Sequence, residues 1–293
     1  VIPLRGTLTA LVTPFRDDRL DFAALESLVQ RQLEAGVDGL VPCGTTGESP
    51  TLTDGEYREV ICRVVKLAGG RVPVIAGAGT NSTSRTIERA RQNAEWGVDA
   101  LLVVAPYYNR PSQEGLFRHF SAIARAVDLP IVLYNIPGRS AVEISVDTIK
   151  RLFETHRNIV AVKHATGSVA GAADLAAACD IPILSGDDPL TLPLMSLGAV
   201  GVISALSNLW PKAVKAVTQA MLDNDLPAAR AAHRAVYGPG KALLSLDTNP
   251  IPVKTAMAMK GWCAEEFRLP LCPMPNEKRQ TLTALLRSQE ALQ

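Results

Sequence analysis

Along the 293 residues, apolar positions follow two alternating rhythms. Short runs rich in Val, Ile, Leu and Ala recur at Thr7–Thr13, Gly39–Pro42, Val72–Ala76, Ala100–Ala105, Ile131–Asn135, Ile159–Lys163, Ile181–Ser185 and Val200–Ser204. Their lack of polar alternation predicts strands covered on both faces, as in a parallel sheet beneath helices. Between them, apolar residues fall three and four apart, which predicts amphipathic helices over Phe22–Ala35, Asp54–Leu67, Thr83–Trp96, Gln113–Ala126 and Val146–Glu154. Thr53 before Asp54-Gly55-Glu56 and Ser145 before Val146-Asp147 carry helix-start chemistry. Glycines close two helices, in Glu34-Ala35-Gly36-Val37-Asp38 and in Glu95-Trp96-Gly97-Val98-Asp99. These two exits resemble each other, an echo of a repeated helix-to-strand unit.

Eight strand–helix units within about 225 residues match a closed (β/α)8 TIM barrel, an α/β fold, better than a doubly wound sheet. No GxGxxG follows the first strand, so a dinucleotide-binding version has no support. The chain divides into a barrel over 1–225 and a C-terminal helical region over 226–293. Helical segments there are expected at Ala228–Val236, from Pro252 to Lys260, and at Glu277–Leu292. Pro239-Gly240, Asn249-Pro250-Ile251-Pro252 and Leu269-Pro270 punctuate it. No linker is polar enough to free this region, so it is expected to pack on the barrel.

Composition narrows the class. A hydrophobic fraction of 47% fits a soluble domain with a substantial core. A formal net charge of +1 without charge blocks argues against nucleic-acid or membrane-surface partners. Cys43, Cys62, Cys179, Cys263 and Cys272 are scattered, which predicts a reduced, cytoplasmic setting rather than a disulfide framework. His119, His156, His164 and His233 are dispersed, so no metal is expected. The stretch Val1–Arg5 is too short and too polar to read as a signal peptide.

Chemistry in such a barrel belongs at the C-terminal strand ends. Strand six closes on Lys163, where desolvation favours the free amine that condenses with a ketone to form a Schiff base. A lone lysine there would more often snorkel to solvent, and what alters that reading is its company. Strand five closes on Tyr134, at the same layer as Lys163 and able to relay protons. After strand two, Gly44-Thr45-Thr46-Gly47 offers hydroxyls and backbone donors to a carboxylate, or simply a turn. Arg139, set by Pro137-Gly138, can fork onto a substrate carboxylate. Tyr107 and Tyr108 follow strand four. Strand seven ends in Ser185-Gly186-Asp187-Asp188, whose two carboxylates disfavour a phosphosugar where many barrels bind phosphate.

Gly44-Thr45-Thr46-Gly47-Glu48-Ser49, Pro106-Tyr107-Tyr108-Asn109-Arg110-Pro111, Tyr134-Asn135-Ile136-Pro137-Gly138-Arg139 and Val162-Lys163-His164-Ala165-Thr166-Gly167 together closely resemble the dihydrodipicolinate synthases. These form a branch of the pyruvate-dependent class I aldolase superfamily that also holds N-acetylneuraminate lyase. The likeness runs on through Asn249-Pro250-Ile251-Pro252-Val253-Lys254 to Arg268-Leu269-Pro270-Leu271. It implies that Lys163 forms the imine with pyruvate, so that no separate cofactor is needed. It further implies that Tyr134, Thr45 and Tyr108 relay protons, with Tyr108 supplied by the adjoining subunit of a tight dimer. Thr46 matches a residue holding the pyruvate carboxylate, and Arg139 the one taking the carboxylate of aspartate 4-semialdehyde. Gly186 and Ile203 match backbone positions lining the pyruvate pocket. The implied reaction is condensation of those two substrates and cyclisation, at the branch point to diaminopimelate and lysine. The implied assembly is a homotetramer of two tight dimers.

Two departures stand out. The position after the lysine is most often acidic in that family and is His164 here; strand alternation turns it away from Lys163, toward a packing or hydrogen-bonding role. Lysine-inhibited members carry histidines and a glutamate near the dimer interface, where this chain has Asp54, Tyr57 and Arg85, with Asn81 and Ser49 retained. An arginine there should repel the ammonium of lysine, so weak or no feedback inhibition is expected. The nearest rival reading is a sister aldolase acting on a sugar acid or hydroxy-oxo acid. A non-catalytic ligand-binding paralogue has only His164 in its favour.

Overall fold

The computed structural model describes residues 4–288. Of Val1–Arg5, only Leu4 and Arg5 fall within them, and the expected last helix is described only as far as 288. Eight parallel strands form the sheet: β1 (Gly6–Ala10), β2 (Gly39–Val41), β3 (Ile75–Gly77), β4 (Ala100–Val104), β5 (Ile131–Asn135), β6 (Ile159–His164), β7 (Ile183–Ser185) and β8 (Gly201–Ser204). Their order is β2-β1-β8-β7-β6-β5-β4-β3, and a parallel bridge between Leu40 and Val74 joins the two ends into a barrel. Strands β3 and β7 begin later than the apolar pattern predicts. Pro73 and Pro182 explain this: neither has an N–H to give the ladder, although each carbonyl accepts, from Leu40 at 2.9 Å and from Val162 at 2.9 Å.

The period of two sorts side chains into two cores. Leu8, Val41, Ile75, Leu102, Val132, Ala161, Leu184 and Ile203 point into the barrel and fill it. The alternate residues, such as Leu40, Leu101, Leu133, Val162 and Val202, face the helices. That outer layer is α1 (Phe22–Glu34), α2 (Asp54–Ala68), α3 (Thr83–Glu95), α4 (Gln113–Ala126), α5 (Val146–Thr155), α6 (Val169–Ala178), α7 (Thr191–Ser196) and α8 (Pro211–Leu222). Thr53 and Glu56 form a reciprocal capping box on α2, and the Ser145 hydroxyl caps α5. The echoed Gly-Val-Asp exits do one structural job twice. Gly36 and Gly97 take positive φ of 72° and 79°, and each following aspartate then accepts an N–H from the strand next door. Asp38 Oδ2 receives Thr7 N–H at 2.8 Å, and Asp99 Oδ2 receives Val74 N–H at 2.8 Å.

A two-stranded hairpin, Phe15–Arg16 with Arg19–Leu20, was not visible in the pattern. The C-terminal part comprises α9 (Leu226–Ser245), α10 (Ile251–Met259) and α11 (Asn276–Arg287). Helix α9 runs straight through Pro239-Gly240, which the sequence reads as a break. Tertiary packing overrides the local preference here. Gly240 lies close to Leu206, where a Cβ would sit 2.5 Å from its Cδ2, so a larger residue would make that side chain shift where α9 packs on the turn after β8. Among the described residues, no helix is long and apolar enough to cross a membrane.

Candidate active site

Tyr134 and Lys163 are register partners on β5 and β6, so their side chains leave the sheet on the same face. That face is the barrel interior, because Ala161 and Ala165, two residues to either side of Lys163, point there. The Lys163 Nζ lies 4.2 Å from the centre of the Tyr134 ring, and Lys163 is 6% exposed. Both line a cavity of about 630 Å³ at the C-terminal strand ends. Thr45, Thr46, Arg139, Gly186 and Ile203 line the same space. Seven of the eight residues picked out in the sequence are therefore brought together.

The eighth is not. Tyr108 is 89% exposed, with a φ of 73°, and does not line that cavity. Its neighbour Tyr107 lines a second cavity of about 210 Å³, which shares the walls Thr45, Tyr134, Ile136 and Arg139 with the first. Arg89 also reaches this second space; it stacks 4.7 Å from the Tyr57 ring centre and pairs with Asp54 at 3.5 Å. No period or motif marks Arg89 in the sequence, since it is one of several polar residues on α3.

The Thr45–Thr46 loop is held from below by the C-terminal helices. Two successive turns, Gly47 N–H to Gly44 O and Glu48 N–H to Thr45 O, each 3.1 Å, coil the loop tightly. Asn249 Nδ2 donates to Thr46 Oγ1 at 3.0 Å. Beneath, the Glu48 carboxylate meets the buried Lys254 ammonium at 2.6 Å and accepts the Arg268 N–H at 3.2 Å. Phe15 and Phe267 flank that ammonium at 4.3 and 5.1 Å from their ring centres. Burial pulls the Lys254 ammonium below its ordinary range, and Glu48 acts against this. Asn249 and Lys254 belong to a stretch that carried the family resemblance, but local reasoning gives neither of them a role.

Arg139 sits in the short helical turn Pro137–Ser140 at the cavity mouth, where its Nη2 donates to Asn249 O at 3.0 Å. Gly186 donates its N–H to His164 O at 2.7 Å, and a Cβ on it would lie 2.4 Å from that of Ala165. A glycine is what allows the β7 end to close the cavity so near β6. The two aspartates behave differently from the sequence picture of a joint negative patch. Asp188 turns away to accept from Ser204 Oγ and from the N–H groups of Ala205 at 3.1 Å and Leu206 at 3.2 Å. Burial raises the pKa of both, with Lys163 pulling each one down.

His164 faces the helices, as alternation requires. Its Nε2 lies 2.9 Å from Ser168 O, which can only accept, so the proton is on Nε2. Thr166 Oγ1 is also 2.9 Å away. The ring therefore braces the loop between β6 and α6 (hydrogen bonding rather than contact with the reacting centre). Among the described residues, no cluster of three or more His, Cys, Asp or Glu is arranged to hold a metal.

This geometry defines a lysine-centred (β/α)8 barrel with its cavity at the C-terminal strand ends. The chain belongs to the dihydrodipicolinate synthetase family, whose model matches residues 3–289. It is 49% identical over 286 residues to the 4-hydroxy-tetrahydrodipicolinate synthase of Pelobacter propionicus, covering 97% of this chain and 98% of that one. Against the enzyme of that name from Sorangium cellulosum it is 50% identical over 294 residues, covering 99% and 97%. The solved 4-hydroxy-tetrahydrodipicolinate synthase of Methylacidiphilum fumariolicum SolV superposes with a TM-score of 0.97 at 47% identity, covering 99% of this chain and 97% of that one.

Proposed function

We propose that this chain is a lyase that condenses pyruvate with L-aspartate 4-semialdehyde to 4-hydroxy-tetrahydrodipicolinate. The observation that carries the reading is Lys163 Nζ held 4.2 Å from the Tyr134 ring centre inside a cavity whose mouth presents Arg139. The Lys163 amine adds to the pyruvate ketone and loses water to give an imine. Loss of a methyl proton then gives the enamine carbon that attacks the aldehyde, and the α-amine of the added substrate next attacks the re-formed imine carbon, closing the ring and releasing the Lys163 amine. Tyr134 and Thr45 stand beside the lysine to move these protons, with Tyr108 of a neighbouring subunit completing the relay. Its outward pose is what a residue serving another subunit needs. Thr46, with the backbone at Gly186 and Ile203, holds the pyruvate end, and Arg139 takes the carboxylate of the semialdehyde. No cofactor is required, because the lysine itself supplies the covalent chemistry.

The working form on this reading is a cytoplasmic homotetramer of two tight dimers. Feedback by lysine is weak or absent. Arg85 is exposed on the first turn of α3, Arg89 stands one turn on, and Tyr57 is buried with its hydroxyl donating to Gly77 O at 3.1 Å. The exposed Arg85 guanidinium repels an amino-acid ammonium, while the Arg89 charge is offset by Asp54 and Tyr57 is a neutral phenol near neutral pH. A steady-state assay tests the whole reading: turnover of pyruvate with aspartate semialdehyde, unaffected by millimolar lysine, and no cleavage of N-acetylneuraminate. Cleavage of a sugar acid without condensation would overturn it.

A further inference from the structure

A cavity of about 220 Å³ lies in the outer layer, between the end of α1, the turn after β8 and the start of α8, with Trp262 as one wall. It shares no lining residue with the space around Lys163. Most of its polar walls are committed within the protein. The Gln32 amide accepts from Thr9 Oγ1 at 2.8 Å and donates to Ser207 O at 3.0 Å. Asn208 donates to Ala10 O at 2.7 Å and Ala205 O at 2.8 Å, and it accepts the Val12 N–H at 3.1 Å. Glu34 accepts from Gln30 Nε2 at 2.9 Å.

Arg31 is the exception. Its guanidinium carbon lies 4.3 Å from the Trp262 ring centre, and its Nε and Nη2 are buried without a hydrogen-bond partner. A part-buried cation left so is costly, and the cavity is where an acceptor can reach it. Burial pulls this guanidinium below its ordinary range, with Cys263 and Glu34 acting the other way. Lys212, exposed on the first turn of α8, adds a second cation to the same wall.

Charge and surface define the occupant. Arg31 and Lys212 against Glu34 leave the wall with one net positive charge, which suits a monoanion better than a dianion. Leu209, Pro211 and Trp262 supply apolar surface that a strongly hydrated ion cannot use. The volume equals roughly seven waters at about 30 Å³ each, enough for a carboxylate carrying a few carbons. We propose that this cavity binds a small monocarboxylate with an apolar body, its carboxylate on Arg31 and Lys212 and its carbon skeleton against Trp262 and Leu209. The site is separate from the catalytic cavity and does not depend on the reaction assigned to Lys163.

Calorimetric titration with benzoate tests this, with benzamide as the neutral look-alike and inorganic phosphate as the hydrated oxyanion. Wild type should bind one benzoate per chain at this site with a Kd on the order of 1 mM, and both comparison probes at least about ten-fold more weakly. Arg31→Gln should weaken benzoate at least about ten-fold, the scale of a lost charged hydrogen bond, while Arg139→Ala changes it less than about two-fold. Arg31→Gln removes a poorly paired charge and is expected to fold. Lys212→Ala, at an exposed position, carries the test where it does not, with an expected weakening of about three-fold or more. No saturable benzoate binding, equal binding of benzamide or phosphate, unchanged affinity in both Arg31→Gln and Lys212→Ala, or loss of binding in Arg139→Ala would overturn the proposal.

Discussion

Lys254 and Glu48 form an ion pair 2.6 Å long, with side-chain exposures of 0% and 1%. Glu48 takes a left-handed φ of 52° directly after the loop that carries Thr45 and Thr46, so the pair fastens that loop to α10. Removing one partner strands a charge in the interior, at a cost of about 3–5 kcal/mol, whereas replacing both costs far less. Lys254→Met should lower stability by about that much in urea unfolding. The double variant with Glu48→Gln should recover at least half of the loss. Additive losses would show that the two side chains do not act together.

A second tie is pH-sensitive. Arg268 grips Glu56 with Nη1 to Oε2 at 2.7 Å and Nη2 to Oε1 at 2.5 Å, joining the C-terminal strap to the start of α2. The guanidinium hydrogen bonds hold the Glu56 carboxyl down at about 2. A carboxyl depressed in the folded state adds stability above its unfolded pKa of about 4.3, and that stability is lost as pH falls toward the folded value. Thermal midpoints of wild type should therefore drop more steeply than those of Glu56→Gln between about pH 4.5 and pH 2. Parallel profiles would mean that the exposed side of the pair is already screened.

Arg139 is placed to act on one substrate only. Arg139→Ala should raise KM for aspartate semialdehyde roughly 10- to 100-fold, the scale of a lost charged hydrogen bond, while pyruvate trapping stays at the wild-type level. A variant impaired equally for pyruvate would assign the arginine to the pocket as a whole.

Tyr108 gives an oligomer test. Lys163→Ala and Tyr108→Ala subunits should each be nearly inactive alone. Mixed by co-expression, they should regain activity, because a hybrid dimer holds one site with both Lys163 and a neighbour's Tyr108. No recovery in isolated hybrids would mean that Tyr108 does not work across subunits.

The sequence alone shows the barrel because its signals are local: all-apolar runs, caps at Thr53 and Ser145, and glycines at 36 and 97. It also shows Lys163, Tyr134 and Arg139, whose positions follow from strand ends and alternation. His164 turning away from Lys163 follows from the same rule. What it hides depends on distant residues meeting. Pairing of Glu48 with Lys254, or Thr46 with Asn249, joins chain segments over 200 positions apart. Nor could local reading separate Asp187 from Asp188, because the difference lies in Ser204 and the turn after it. The break expected at Pro239-Gly240 is absent as well: α9 runs on from Leu226 to Ser245, with Gly240 packed against the distant Leu206.

The most direct measurement is intact-protein and peptide mass spectrometry after incubation with pyruvate and borohydride, on wild type and Lys163→Ala. Wild type should gain the mass of one reduced pyruvate imine per chain, located on the peptide containing Lys163, and the variant should gain none. An unmodified wild type, or an adduct on another lysine that persists in Lys163→Ala, would contradict the account.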